Sequence, residues 1–136
     1  MSGYKYIETA VARFIAGRYR SVIEAGAGTN LHAANLLFRS GILIRCIDII
    51  DPPRWSRVPY FKDDVCHPNI SLYQNCECIY AIRPTEEMIP PLIRLSEQIQ
   101  ADLIVYHLGF EGADRPAPIP GCDVPLHMLK TKECCL

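Results

Sequence analysis

The chain has 136 residues, 49% of them hydrophobic and 21% charged, with a formal net charge of −1. That is enough for one domain with a core of its own and too little for an enzyme carrying a separate substrate domain. The near-neutral balance excludes a global attraction for nucleic acid or an anionic membrane, so any such contact has to come from a local patch.

Residues 4–16 place Ile7, Ala10, Val11, Phe14 and Ile15 at i, i+3, i+4, i+7 and i+8 spacing, which predicts an amphipathic helix with Ser2 as N-cap and Gly17 as C-cap. A short apolar strand follows over about Ser21–Glu24. It runs into the glycine turn Ala25-Gly26-Ala27-Gly28, which opens onto a helix over about Thr29–Arg39 with Leu31, Ala34, Leu37 and Phe38 on its buried side. Strand, glycine turn and helix in this order let backbone N–H groups approach an anion or a nucleotide at a helix N-terminus. Gly41 closes the helix as a left-handed residue would.

Ile42–Ile47 is apolar apart from Arg45, the pattern of a parallel strand covered on both faces. Asp48 ends this run, twenty residues after Gly28, close to where a ribose-binding carboxylate falls in dinucleotide-type folds. Three prolines among residues 51–59 then exclude a regular helix, so an extended loop is expected where a second crossover helix would lie.

Tyr60–Lys62 is a short strand ending at Asp63-Asp64, and Pro68 begins a brief helix through Tyr73. Glu77–Ile82 is the fourth strand and stops at Arg83-Pro84. A helical start follows, with Glu86 and Glu87 in its first turn. Pro90-Pro91 should kink it or split it into a short turn and a second helix over about Pro91–Gln98. Asp102–Leu108 is the fifth strand, residues 109–121 a proline- and glycine-rich loop, and Val124–Leu129 a last strand at the sheet edge.

Strands separated by crossovers indicate a parallel, doubly wound sheet of about five or six strands in a single three-layer α/β domain, spanning residues 1–129, with 130–136 as a flexible tail. Such a sheet binds its ligand beyond the C-terminal strand ends, near the switch in strand order. Glu24 to Gly28, Asp48, Asp63, Asp64, Arg83 and the segment from His107 to Glu111 all fall there. An arginine directly after an apolar strand at that face can clamp a carboxylate or phosphate, or else hold the helix start through Glu86 or Glu87. His107 and Glu111 are candidates for general acid or base.

Glu24-x-Gly26-x-Gly28 together with Asp48 and Asp64 is similar to the cofactor motifs of class I S-adenosylmethionine-dependent methyltransferases. Ile23 to Gly28, Asp63-Asp64-Val65 and Ile79 to Glu87 (IYAIRPTEE) resemble a group of small archaeal proteins, an uncharacterised Rossmann-like family. The resemblance implies a Rossmann-like fold and S-adenosylmethionine as cofactor, with Glu24, Gly26, Gly28, Asp48 and Asp64 binding it, Asp64 through the adenine amino group. Arg83 is then the candidate substrate-binding residue, and no catalytic residue or acceptor is implied. Two departures stand out: Asn30 occupies the position of a third glycine, and Arg83-Pro84-Thr85-Glu86 replaces the Asp/Asn-Pro-Pro-aromatic signature of many methyltransferases. They make cofactor binding a firmer expectation than methyl transfer. The alternatives are a non-catalytic adenosyl-nucleotide or regulatory module and an NAD-type nucleotide binder.

Seven cysteines in odd number, without C-x2-C spacing, argue against both a disulfide framework and a metal site. No apolar run reaches the ~20 residues that span a bilayer, and no export leader is seen, so the expected setting is cytoplasmic, without a membrane partner. Arg54, Trp55, Ser56 and Arg57, with Tyr60, Phe61 and Lys62, mix cations and aromatics. That mixture suits stacking on bases, although the more common reading is a core-packed Trp among solvated charges. Nucleic acid is therefore the lesser expectation, confined to Arg54, Trp55 and Arg57.

Overall fold

The computed structural model describes residues 3–107 and 118–131, with the side chains of residues 3–5 left aside. Four strands form by burial on both faces. β1 (Val22–Ala25) is wholly buried, and β2 (Leu43–Asp48), β4 (Cys78–Ile82) and β5 (Asp102–Tyr106) are mostly so, as their unbroken apolar runs require. With β3 (Tyr60–Lys62) and β6 (Leu126–Lys130) they make one six-stranded sheet in the order β3-β2-β1-β4-β5-β6. All pairings are parallel except that of β6, which lies antiparallel on β5 at the edge.

The order reverses between β1 and β4, and the two faces carry separate cores. On one face, α1 (Gly3–Ala16) and α2 (His32–Arg39) cover Val22, Cys46, Tyr80 and Ile104. On the other, α3 (Ile89–Ile99) and the segment around Tyr73 cover Ile23, Ile47, Ile79 and Leu103. This is the three-layer, doubly wound arrangement expected, with a switch point that opens a crevice at the C-terminal ends of β1 and β4.

Several local expectations shift. The buried face of α1 keeps Ala10, Val11 and Ile15 of the predicted stripe and extends round to Glu8 and Ala12, so Ile7 and Phe14 are only half-buried and a carboxylate enters the core. α2 begins at His32 rather than near Thr29, because the turn takes up Thr29–Leu31 and Asn30 Oδ1 accepts from the His32 N–H at 3.2 Å. Phe38, expected inside, is exposed, since Ala33, Ala34 and Leu37 already fill the contact. Gly41 does take the left-handed conformation (φ 75°), and the Ile42 N–H reaches back to the Leu37 carbonyl at 2.9 Å.

The register between β1 and β2 slips by one residue at Ile44, pairing Val22 with Leu43 but Ile23 with Arg45. Arg45 then donates from Nη1 to the Leu72 carbonyl at 2.7 Å and lies over the Phe61 ring. The brief helix expected from Pro68 is a 3-10 turn, Ile70–Leu72. The helix after β4 splits as the prolines demand: a 3-10 turn over Glu86–Met88 passes into α3, whose first turn holds Pro90 and Pro91 where no N–H donor is needed. β5 ends at Tyr106, and most of the loop over residues 109–121, including Glu111, lies outside the described residues. β6 runs to Lys130, one residue into the segment expected as tail; residues 132–136 are likewise outside.

Candidate functional site

The glycine turn at the end of β1 is tied to its neighbours rather than left open. Gly26 and Gly28 have φ of 69° and 59°, values that L side chains adopt at a cost, and the turn between them is pulled onto β2. The N–H of Gly26 donates to the Ile47 carbonyl at 2.8 Å, that of Ala27 to the same oxygen at 3.3 Å, and that of Gly28 to Asp48 Oδ2 at 2.7 Å. Tyr60 on β3 completes the clamp, its hydroxyl donating to the Gly28 carbonyl at 2.9 Å. These three turn amides are thus engaged within the fold.

Asp48 ends β2 with its carboxylate half used. Oδ1 accepts from the Ile49 N–H at 2.6 Å and Oδ2 from Gly28. A carboxylate has about four lone-pair directions, so roughly two acceptor positions remain. The neighbouring acids after β3 part company. Asp63 holds its own loop, accepting from the Asn69 N–H at 3.2 Å and from the Tyr73 hydroxyl at 2.8 Å. Asp64 is exposed and makes one local bond, from the Cys66 N–H to Oδ1 at 2.8 Å.

These strand ends enclose a cleft of about 440 Å³. It is lined by Gly26 after β1, Asp48 and Ile49 after β2, residues 63–66 after β3 and residues 83–88 with the exception of Glu86 after β4. Gly26, Asp48, Asp64 and Arg83 therefore come together, as the strand-end rule anticipates. Met88 closes the floor over Gly26, where an added Cβ would lie 2.9 Å from its Cε.

Glu24 and Gly28 stand beside this cleft and are not among its described lining residues. Gly28 acts through the Asp48 contact. Glu24 is turned the other way, into the core beneath α1 and α2, where its register partners are Cys46 and Tyr80. The Tyr80 hydroxyl donates to Glu24 Oε1 at 2.6 Å. Burial pushes the Glu24 carboxyl up to about 8, against the lowering effect of the Tyr80 bond and with smaller upward contributions from Glu8 and Asp48.

Arg83 sits at the end of β4 in the left-handed region, φ 55°, held by its N–H to the Tyr106 carbonyl at 2.8 Å. Its guanidinium lies over the Tyr106 ring and pairs through Nη1 with Glu8 on α1 at 3.1 Å. The anticipated pairing with Glu86 or Glu87 does not form; Glu8, from the other end of the chain, takes that place. The Glu8 side chain is 2% exposed and that of Arg83 46%, so the pair joins the core to solvent, with Arg83 among the residues that line the cleft. His107 follows β5, half-buried, away from the described cleft lining. His32, at the start of α2, has its Nε2 2.9 Å from the Thr9 hydroxyl of α1.

Glu8, Tyr60, Tyr80 and Met88 were not anticipated. Glu8 left a signal, a carboxylate at i−3 and i−7 from Val11 and Ile15 on an apolar stripe. The other three look like ordinary core residues in sequence. Among the described residues no group of three or more His, Cys, Asp or Glu could hold a metal ion, and no helix is long and apolar enough to cross a membrane.

Sheet order and switch-point cleft define a Rossmann-like fold, and the solved structures that share it include methyltransferases. The chain superposes on Streptomyces venezuelae DesVI with a TM-score of 0.56 at 13% identity, over 84% of this chain and 55% of that one. Magnesium protoporphyrin IX methyltransferase from Synechocystis PCC 6803, solved with bound SAM, gives 0.53 at 18% identity, over 76% of this chain and 58% of that one. Burkholderia thailandensis 1,6-didemethyltoxoflavin-N1-methyltransferase, solved with S-adenosylhomocysteine and 1,6-didemethyltoxoflavin, gives 0.53 at 17%, over 96% and 62%. At such identities the likeness is one of fold, and this chain spans less than two thirds of each of those proteins. Residues 7–115 match the uncharacterised protein family UPF0146, and the chain belongs to that family. It is 30% identical over 99 residues to the UPF0146 protein of Archaeoglobus fulgidus (72% of this chain, 76% of that one). It is 34% identical over 104 residues to UPF0146 protein PH0209 of Pyrococcus horikoshii (72% and 79%).

Proposed function

We propose that the cleft binds S-adenosylmethionine and that the protein is methyltransferase-like. The observation that carries this reading is the charge of the cleft. Asp48, Asp63, Asp64 and Glu87 line it, and its one described cation, Arg83, already faces Glu8. The turn amides are spent on Ile47 and Asp48. A dinucleotide would bring a pyrophosphate into a field of carboxylates, whereas a sulfonium cofactor brings net positive charge. The donor set thus fits the sulfonium compound and disfavours the NAD-type alternative.

In this reading Asp48 accepts from the two ribose hydroxyls with its remaining lone pairs, and the exposed Asp64 accepts from the adenine amino group. Gly26 and Met88 shape the floor, and Gly28 and Glu24 hold the turn from behind. The Arg83 guanidinium receives a substrate carboxylate or phosphate. When bound, the cofactor supplies an electrophilic methyl group. The chain's contribution is to hold that group in line with an acceptor and keep water out, which needs no strongly basic side chain. A non-catalytic binding module is the second reading, favoured by Arg83-Pro84-Thr85-Glu86 at the β4 end, where neither an amide nor an aromatic side chain is present to orient an acceptor.

Calorimetric titration with S-adenosylmethionine, S-adenosylhomocysteine and NAD tests the reading. The sulfur nucleosides should bind in preference to NAD, and Asp48→Ala should weaken them about tenfold or more, as the loss of hydrogen bonds to a charged acceptor does. NAD binding as tightly as S-adenosylmethionine would refute it, as would no binding of either at millimolar ligand. Methyl transfer from labelled cofactor to any component of a lysate separates the enzyme from the module.

A further inference from the structure

The loop between β2 and β3 replaces a crossover helix, and neither the sheet nor the cleft accounts for what it displays. Between Asp48 and Tyr60 it carries two cations, Arg54 and Arg57, and one acid, Asp51, which pairs with Lys62 of β3. Its path is fixed at several points. The Ser56 N–H donates to the Pro53 carbonyl at 3.0 Å, closing a turn whose two central residues are Arg54 and Trp55. The Ser56 hydroxyl donates to the Val58 carbonyl at 2.9 Å, Val58 is buried in the α1/α2 core, and the Cys46 N–H takes the Pro59 carbonyl at 2.8 Å.

Trp55, the chain's one tryptophan, is 60% exposed at the tip of that turn, and Arg54 and Arg57 beside it are exposed. Neither arginine has a carboxylate partner among the described residues, in contrast to Lys62, whose Nζ lies 3.4 Å from Asp51. A core-packed Trp is therefore not what the loop contains. It holds a large ring outward on a proline-braced turn between two unneutralised guanidinium groups, at a cost in exposed apolar area that folding does not repay.

We propose that this turn is a stacking platform for single-stranded nucleic acid, with Trp55 against a base and Arg54 and Arg57 against the flanking phosphates. The ring supplies a flat face that any base can meet, and the cations supply sequence-independent attraction. A duplex does not suit it, because a convex turn tip reaches no base face that is already stacked. The strand runs outside the cleft, whose carboxylates would repel it; the proposal does not rest on which ligand the cleft binds.

The experiment uses the full chain and an unlabelled single-stranded oligonucleotide about ten residues long, within the usual footprint of such sites. Stacking should quench the fluorescence of Trp55, which has no other tryptophan to mask it. A labelled copy followed by anisotropy should bind about tenfold or more weakly to Trp55→Ala and nearly normally to Trp55→Phe. Affinity should fall with salt with a log–log slope of about −1.4, two phosphates on a single strand, and Arg54→Ala/Arg57→Ala should flatten that slope. No quenching, equal affinity for the duplex form, or equal affinity for polyglutamate would overturn the proposal. Because these side chains are exposed, none of the variants should impair folding, which circular dichroism checks. S-adenosylmethionine binding by the same variants should be unchanged, so failure here and failure of the cleft reading are separately visible.

Discussion

Replacing Glu24 by glutamine isolates what a buried carboxylate does to this fold. Glu24 is fully enclosed beneath α1 and α2, and its pKa is raised from 4.5 to about 8, chiefly by burial. In the unfolded chain the carboxyl ionises near its ordinary value, so between roughly pH 4.5 and 8 the folded state holds a proton that the unfolded state has lost. Stability is therefore highest below the unfolded pKa and falls as pH rises through this window. The difference of about 3.5 pK units corresponds to about 4–5 kcal/mol at its upper end, a large share of the ~5–15 kcal/mol that a domain has. Glutamine keeps the oxygen that accepts from the Tyr80 hydroxyl and cannot ionise. Urea denaturation of both proteins from pH 5 to pH 8.5 should show curves within about 1 kcal/mol at the acid end, with the glutamine variant pulling ahead by about 4 kcal/mol at the alkaline end, a midpoint difference of about 2 M. Equal m-values would show that only stability has changed. Parallel curves across the window would refute the reasoning, since they would mean that Glu24 binds protons equally in both states.

Gly26→Ala and Gly28→Ala should each cost about 1 kcal/mol through their positive φ, read as a fall in Tm of a few degrees, and only the change at Gly26, whose new Cβ meets Met88, should also weaken the cleft's ligand. Asp63→Ala should lower stability by about 1–2 kcal/mol by stranding the Tyr73 hydroxyl and the Asn69 N–H, whereas Asp64→Ala should leave stability nearly unchanged and reduce S-adenosylmethionine affinity about tenfold in calorimetry. Arg83→Gly relieves a strained backbone but leaves Glu8 buried and unpaired, so chemical denaturation should show a net loss of about 2–3 kcal/mol, which adding Glu8→Gln should largely restore.

The layers and the address of the cleft were legible because they follow from chemistry that is local in sequence. Continuous apolar runs announce β1, β2, β4 and β5, proline at positions 90 and 91 announces a helix start, and the strand-end rule gathers Gly26, Asp48, Asp64 and Arg83 without any knowledge of packing. What could not be read is whatever depends on two distant segments meeting. The α1 stripe reaches round to Glu8 because Glu8 answers Arg83, 75 residues away, and a carboxylate is counted as polar until its partner is known. The split roles of Asp63 and Asp64 depend on Tyr73 and Asn69, reached only once the loop has folded back. The engagement of the Gly26, Ala27 and Gly28 amides by β2 could not be read either, because glycine spacing says where N–H groups are and not whether another strand has claimed them.

That last point carries the chemistry of the whole edge. Glu87 lines the cleft beside five further carboxylates, with which the protein copes in several ways. Glu24 retains its proton to nearly pH 8, Glu8 faces Arg83, Asp48 and Asp63 accept from backbone N–H groups, and Asp64 is left to solvent. None of these solutions brings a full positive charge to the cleft except Arg83, whose Nη1 is committed to the core side. Such a field is unfavourable to the empty fold, since like charges at this spacing repel and desolvation prevents water from screening them fully. An arrangement that is costly when empty gains most from a cation placed within it. The Gly28 amide, spent on Asp48, keeps that carboxylate oriented at the place where the sugar of an adenosyl sulfonium would lie in the proposed reading. The same glycine spacing that serves pyrophosphate elsewhere serves here to hold an acid still.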